Sequence, residues 1–246
     1  MDAALRYQEI DMFRGIAILM MILFHTLLDL NFFNIYPVEI STGFWRYFAF
    51  ATASLFLLIV GISLTLSRTR AKKVISGHAL VQKFVYRGTG IFLLGLLVTA
   101  GTWLYVREGF IVFGILHLIG VSIVISPFFF RFKKLNAVLG LLFIAVGFFF
   151  STVTGPIWLL PLGIHPASFY SLDYEPLFPW FGVVLIGMGL GEHLYPENVR
   201  QFTLPQIPSV FMQPLAFLGR QSLLIYLIHQ PVIILLLAAF TGVKVL

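Results

Sequence analysis

The 246-residue chain contains no cysteine, which excludes disulfides, a thiol nucleophile and any Cys-ligated zinc or iron–sulfur centre. Charge is nearly as scarce. Sixteen basic and ten acidic residues make up 11% of the chain, against about 25% in soluble domains. With 59% hydrophobic residues and a mean hydropathy of +0.97, too little polar surface remains to keep the chain in water. A soluble enzyme is excluded. The sequence also lacks the polar/apolar alternation of a membrane β-barrel and instead carries unbroken apolar runs of roughly twenty residues. What is there is the composition of an all-α, polytopic helical membrane bundle.

About twenty apolar residues cross the hydrocarbon, and by that measure the chain has about seven transmembrane helices, over 10–31, 44–66, 84–104, 109–130, 135–153, 177–193 and 215–240. Arg6 and Arg14 before an apolar stretch imitate a signal peptide, but the stretch ends in Asp29, Leu30, Asn31, Phe32 and Phe33 without a small-residue cleavage site. It reads as a retained first helix. The net charge of +6 and pI near 9.7 report topology rather than nucleic-acid binding. With the N-terminus inside, the inner side collects Arg6, Arg14, Arg68, Arg70, Lys72, Lys73, Lys83, Arg87, Arg131, Lys133, Lys134, Arg200 and Arg220. Arg46, Arg107 and Lys244 fall outside, and the acidic Asp173 and Glu175 sit in a long outer loop, 154–176. An odd span count then puts the C-terminus outside. The Pro-rich stretch 196–214 reads as an inner loop, and with no linker or internal repeat the whole of 1–246 reads as one membrane domain. The small residues Gly182, Gly187, Gly189 and Gly191 suit close helix contact, within the bundle or between subunits of a homo-oligomer.

A charged side chain in mid-membrane costs roughly 2.5–3.5 kcal/mol on the insertion scale, so each one needs a partner, a cavity or a role. The first helix holds His25 and Asp29 one turn apart on one face, where a carboxylate can orient an imidazole and leave its other nitrogen free as a base. Equally, the two can simply pair with each other or with a neighbouring helix. His117 in the fourth span and His229 in the seventh come at similar depth, about 9–17 Å below the outer ends of their helices. Either alone reads as a packing residue; with His25 they suit one water-accessible polar chamber in the outer half of the bundle. No ligand-spaced motif such as His-x-x-x-His accompanies them, so no metal is expected.

At the inner ends stand Arg14, Arg87 and Arg220. Snorkelling to lipid headgroups explains the loop lysines Lys72, Lys73 and Lys83. Arg14 and Arg220 lie a few residues inside their apolar runs, where a guanidinium fork suits a phosphate-bearing ligand, and Asp11 can hold Arg14 from the preceding turn. A basic inner mouth leading to a histidine-lined outer chamber fits a phosphorylated donor that enters from the cytoplasm and reacts deeper in the membrane.

Four ordered blocks carry a resemblance that spans nearly the whole chain. They are Glu9-Ile10-Asp11-x-x-Arg14-Gly15-Ile16-Ala17 with His25; Phe113-Gly114-Ile115-Leu116-His117-x-Ile119-Gly120; Asp173-Tyr174-x-Pro176-Leu177-x-Pro179-Trp180-Phe181-Gly182; and Leu218-Gly219-Arg220-Gln221-Ser222-Leu223-x-Ile225-Tyr226-Leu227-x-His229-Gln230-Pro231. Together they resemble the transmembrane acyltransferase superfamily, and within it the bacterial and archaeal relatives of the heparan-α-glucosaminide N-acetyltransferase catalytic domain. The resemblance implies transfer of an acetyl (acyl) group from cytoplasmic acetyl-CoA to a hydroxyl or amine of a sugar, glycan or lipid-linked acceptor at the outer face of the cell membrane. Arg14 is then expected to bind the donor's phosphates and His25 to lie where the reaction occurs; Asp11, Arg87 and Arg220, read above at the inner ends, complete the candidate donor-binding set.

The mechanism expected is direct transfer, with His25 as base, Asp29 as its orienting carboxylate, and His117 or His229 with Gln230 at the oxyanion. An acyl-histidine intermediate is the second route. Trp180, Ser222, Tyr226 and Gln230 are candidates to line the acceptor chamber, Trp180 being equally suited to an interfacial aromatic belt. The rival from another class is a proton-coupled transporter using the same buried His/Asp cluster. Against it stands the absence of an inverted repeat and of paired broken helices.

Overall fold

A backbone placed in hydrocarbon must satisfy its own N–H and C=O groups, and a continuous helix does so locally. The computed structural model describes residues 6–205 and 207–242, and among them the regular structure is helical. The helices are α1 (Gln8–Phe32), α2 (Gly43–Ala71), α3 (Gly77–Val106), α4 (Ile115–Phe129), α5 (Asn136–Phe150), α6 (Leu177–Leu194), α7 (Ser209–Arg220) and α8 (Ser222–Thr241). Lys244, counted above among the outer charges, lies outside the described residues.

Among the described residues, six helical stretches are long and apolar enough to cross a membrane: Gln8–Phe32, Gly43–Ala71, Gly77–Val106, Ile115–Phe150, Leu177–Leu194 and Ser222–Thr241. Two sequence expectations change here. The spans read at 109–130 and 135–153 follow one another without an open loop, because Phe130–Leu135 continues as 3-10 helix between α4 and α5. The run is broken at Lys133, whose φ of 49° and ψ of −123° leave helical space. Six such stretches thus answer to the seven spans read from the sequence, two of those spans lying on either side of the break at Lys133. The span read at 215–240 starts only at Ser222. Gln221 (φ −94°, ψ 10°) ends one helix, and the supposed loop 196–214 already contains the start of α7 behind Pro208.

Helix contacts group the chain into two units, one formed by Met1–Phe56 with Leu204–Leu246 and the other by Leu57–Thr203. In the first, α7 runs antiparallel to α1: Gly15 faces the backbone of Leu215, and Gly219 faces that of Asp11. No side chain fits between these backbones, so the small residues set the helix spacing. The chain turns at Gln221 and α8 then follows α1 in the same direction, with His229 opposite His25 and Gln230 opposite Asp29. Ile10, Ala17, Ile18, Met21, Ala216 and Ile233 are buried in this unit.

The second unit contains two antiparallel hairpins. In one, α3 and α4 meet at Gly88 and Gly120; in the other, α5 and α6 meet at Gly140 and Gly182, each facing the other's carbonyl. The glycine row of α6 is used up inside this unit: Gly187 faces Leu58, Gly189 faces Ala137 and Gly191 faces Thr65. Those glycines therefore serve contacts within one chain. Thr65 Oγ1 donates to the Met188 carbonyl at 3.1 Å, and Phe84, Leu118, Ile123, Phe181, Leu185 and Met188 fill the interior.

Candidate active site

The α1 end of the first unit is organised by Asp11. Glu9 and Asp11 stand in the first turn of α1, where the helix dipole favours negative charge. Asp11 is 4% exposed. Its Oδ1 accepts from Arg14 Nη1 at 2.8 Å and its Oδ2 from Arg6 Nε at 2.7 Å. A buried carboxylate is stable only when its oxygens are satisfied, and two charge-assisted bonds do that here. The expected hold of Asp11 on Arg14 is thus present, with Arg6 as a second clamp not read from the sequence. Arg14 Nη1 also reaches within 3.5 Å of the Gly219 carbonyl, which brings the end of α7 to the same place. Arg220 is not inside a membrane span as read above. It is the last residue of α7, exposed, with its guanidinium 5.8 Å from the centre of the Phe217 ring.

Eleven residues further along α1, a rise of about 16 Å, lies a polar cluster shared with α8. His25 is half-buried, and its Nδ1 lies 2.9 Å from the Met21 carbonyl. A carbonyl only accepts, so in the neutral ring Nδ1 carries the hydrogen and Nε2 the lone pair. His229 is arranged in the same way, its Nδ1 2.6 Å from the Tyr226 carbonyl. The two rings meet edge to face with centroids 4.8 Å apart. Asp29, 3% exposed, accepts from Gln230 Nε2 at 2.9 Å through Oδ1. Of the two readings of this pair, direct pairing gives way to a bond with a neighbouring helix: Asp29 is hydrogen-bonded across to α8 and not to His25, because His25 has turned its Nδ1 back onto its own helix. Three buried atoms of this cluster, Asp29 Oδ2, His229 Nε2 and Gln230 Oε1, have no hydrogen-bond partner among the described residues. Polar atoms in that condition are costly in an interior and await a ligand or water. Ser222 is buried at the first turn of α8, and Tyr226 is half-buried with its ring 5.4 Å from that of His229.

His117 belongs to the second unit, and both of its ring nitrogens have partners there. Nδ1 accepts from the Gly114 N–H at 3.2 Å, and Nε2 lies 3.4 Å from Thr99 Oγ1. The ring stacks on Phe113 and takes the edge of Phe92. It closes the N-terminus of α4, which Asp173 also serves, Oδ2 accepting from the Ile115 N–H at 3.2 Å. Asp173, read from the sequence only as an outer-loop charge, therefore joins 151–176 to the start of α4. Ser171 Oγ donates to the Phe110 carbonyl, the Glu175 N–H bonds the Phe113 carbonyl, and the Tyr174 hydroxyl donates to the Leu160 carbonyl at 2.7 Å. Burial pushes the Tyr174 phenol up to about 12. Trp180 is 8% exposed near the start of α6, so it is not a lipid-facing belt residue. Arg87 is exposed on α3.

One pair escaped the sequence reading altogether. Arg68 Nη1 bonds Glu192 Oε1 at 2.9 Å and covers the Phe130 ring at 5.1 Å. In the sequence Arg68 has the signature of a topology charge, and a lone Glu192 at the end of α6 has no local signal. Among the described residues, no three His, Asp or Glu side chains converge as a metal ligand set.

The model of one protein family, described as heparan-alpha-glucosaminide N-acetyltransferase, catalytic, matches residues 6–231. That range runs from Arg6, which clamps Asp11, to just past Gln230. No curated protein and no solved structure matches the chain.

Proposed function

The chain belongs to the heparan-alpha-glucosaminide N-acetyltransferase catalytic family, and from that membership we propose that its α1–α8 cluster is where an acetyl group passes from acetyl-CoA to a hydroxyl or amine acceptor. The family makes it a multipass membrane acetyltransferase. The finer reading is one transmembrane acyltransferase domain, 1–246, in the cell membrane. The Asp11/Arg14 end faces the cytoplasm, and a sugar, glycan or lipid-linked acceptor arrives from the other side. The excess of basic residues in the loops assigned to the inner side supports this orientation.

The observation that carries the reading is a single row along α1 and α8. At one end, Asp11 holds Arg14 beside the end of α7; about 16 Å further on, the imidazoles of His25 and His229 meet edge to face, on the same two helices as the Asp29–Gln230 hydrogen bond. The guanidiniums of Arg14 and Arg220 suit the phosphates of CoA. Asp11 acts on the donor by positioning Arg14.

His25 is the base. As the acceptor oxygen or nitrogen bonds to the thioester carbonyl carbon, its proton moves to His25 Nε2 and the carbonyl electrons go to oxygen. The carbonyl re-forms as the carbon–sulfur bond breaks. The sulfur leaves as thiolate and takes the proton from His25, giving acetylated acceptor and CoA thiol. Gln230 has an amide hydrogen not committed to Asp29 and can serve the oxyanion. Asp29 fixes the Gln230 amide and offsets the charge His25 gains. His229 Nε2, an acceptor in its neutral tautomer, holds the incoming hydroxyl or amine. Tyr226 lies beside it, Ser222 stands about two turns before it on α8, and in the second unit His117 acts as a positioning residue for α4.

The test is binding of radiolabelled acetyl-CoA to the purified full chain in nanodiscs, followed by CoA release in the presence of glucosamine or an envelope glycan extract. Arg14→Ala is expected to weaken donor binding about tenfold or more, and His25→Ala to retain binding while releasing no CoA. No donor binding at millimolar concentration defeats the acetyltransferase reading. Full turnover by His25→Ala removes His25 as the base.

A further inference from the structure

A groove of about 360 Å³ opens between α1 and α8. It is lined by Ile22 and Thr26 of α1 and by Ile225, Val232, Leu236 and Phe240 of α8, with His229 set into its wall near the Ile225 end. Apart from Thr26 and His229 its surface is hydrocarbon. His229 is 8% exposed, and its Nε2 is one of the buried atoms without a partner among the described residues. Beyond His229 the groove continues eleven residues along α8 to Phe240, a rise of about 16 Å.

The order along the two parallel helices is what identifies an occupant. The Arg14 end comes first, then the paired imidazoles, then an apolar channel leading further away in the same direction. A molecule laid along this row has an anionic head, a reactive group in the middle and a hydrocarbon tail. A fatty acyl thioester of CoA has that order of parts: phosphates, then the thioester, then the chain. An acetyl group ends one carbon past the carbonyl and reaches none of the channel beyond His229.

We propose that the groove holds the acyl chain of the donor, so that the protein takes medium-chain acyl-CoA, of the octanoyl to dodecanoyl class, in addition to acetyl-CoA. The proposal rests on the reading of the α1–α8 cluster as the transfer site. A fully buried methylene contributes about fourfold in affinity. Val232, Leu236 and Phe240 are themselves exposed, so the channel covers the chain on one side only and each methylene gains less. Six added methylenes are then expected to tighten donor binding by about tenfold or more.

The experiment is displacement of radiolabelled acetyl-CoA from the full chain in nanodiscs by unlabelled acetyl-, octanoyl- and dodecanoyl-CoA, corrected for partition into empty nanodiscs. Octanoyl-CoA is expected to compete about tenfold or more better than acetyl-CoA, and dodecanoyl-CoA, whose extended chain still ends short of Phe240, at least as well as octanoyl-CoA. Val232→Trp and Leu236→Trp, tested separately, are expected to bring the octanoyl-to-acetyl ratio close to one. Each ratio is internal to one protein, so a loss of folded material leaves it unchanged. Equal competition by acetyl- and octanoyl-CoA overturns the proposal, as does a preference that survives both tryptophans. It is also overturned if the tryptophans slow transfer from acetyl-CoA to a lipid-linked acceptor while the donor preference stays intact, for then the groove belongs to the acceptor. If acetyl-CoA itself does not bind, the acetyltransferase reading is what has failed; if it binds and the chain length is ignored, only the acyl channel has.

Discussion

Replacing Gly219 with alanine places a methyl carbon where there is no room for one. A Cβ built at this position lies 1.8 Å from the Asp11 carbonyl oxygen, 2.7 Å from its carbon and 3.0 Å from the Gly15 nitrogen. Real Cβ atoms do not approach closer than 3.0 Å, so α7 and α1 must separate by at least the difference between 1.8 and 3.0 Å. Every atom in the way is backbone, and no rotamer change relieves the contact. Overpacking of a tight interface costs about 1–3 kcal/mol, and a backbone-on-backbone clash belongs at the upper end, about 3 kcal/mol. The separation also carries Asp11 and Arg14 away from the end of α7, so donor affinity is expected to fall with stability.

The control is the same substitution at Gly90 and Gly101 of α3, where nothing lies within 4 Å of the added carbon. There the helix preference for alanine over glycine is expected to leave stability unchanged or raise it by about 1 kcal/mol. The assay is the fraction of monodisperse protein surviving heating, followed by size exclusion, together with acetyl-CoA binding at a temperature where all variants are folded. If Gly219→Ala melts like Gly90→Ala and binds donor like the parent, the close packing of α1 on α7 is refuted.

Asp11→Asn removes the charge shared by Arg6 and Arg14. Since the Arg6 side chain is 59% exposed, most of the expected loss of about 2 kcal/mol belongs to the Arg14 bond. The KM for acetyl-CoA is expected to rise more than kcat falls, and the opposite split in steady-state kinetics would show that Asp11 does not act through donor binding. His117→Ala leaves the Gly114 N–H and a ring-sized space unfilled, an expected cost of about 2–4 kcal/mol in thermal unfolding. A displaced pH–rate profile in the protein that remains folded would put His117 among the reacting groups. The Tyr174 phenol has its titration raised from 10 to about 12. Because the neutral form is the one favoured in the folded state, its contribution is fully present below pH 10 and is lost as pH rises through about 12. Ultraviolet titration against Tyr174→Phe is expected to show one late phenol, and titration of Tyr174 together with exposed tyrosines would mean that the 151–176 segment does not hold it.

Much of the candidate site could be read before any coordinates. His25 and Asp29 stand out because hydrocarbon excludes such groups unless they have a use, and Arg14 with Asp11 because a three-residue helical spacing puts them side by side. Partner choice was harder. Asp29 bonds Gln230, a residue 201 positions away, and nothing in the spacing of His25 and Asp29 announces that His25 satisfies its Nδ1 on Met21 instead. The same blindness hid the Arg68–Glu192 pair and the joint capping of α4 by His117 and Asp173. The break at Gln221 was missed because the apolar run from Leu215 onward is continuous in composition while the backbone is not.

By itself the sequence determined that this protein is a helical membrane bundle, which stretches are apolar enough to span, and which few polar residues must have a purpose. Those are properties of composition and helical period, and neighbouring residues decide them. Tertiary structure decided that α7 is a helix apart from α8, that the glycines of α6 serve contacts within the chain, that Asp29 answers to Gln230, and that an apolar groove leads away from His229. Each of these depends on which distant segments pack together, and packing is set by the fit of whole helix faces that no local stretch encodes.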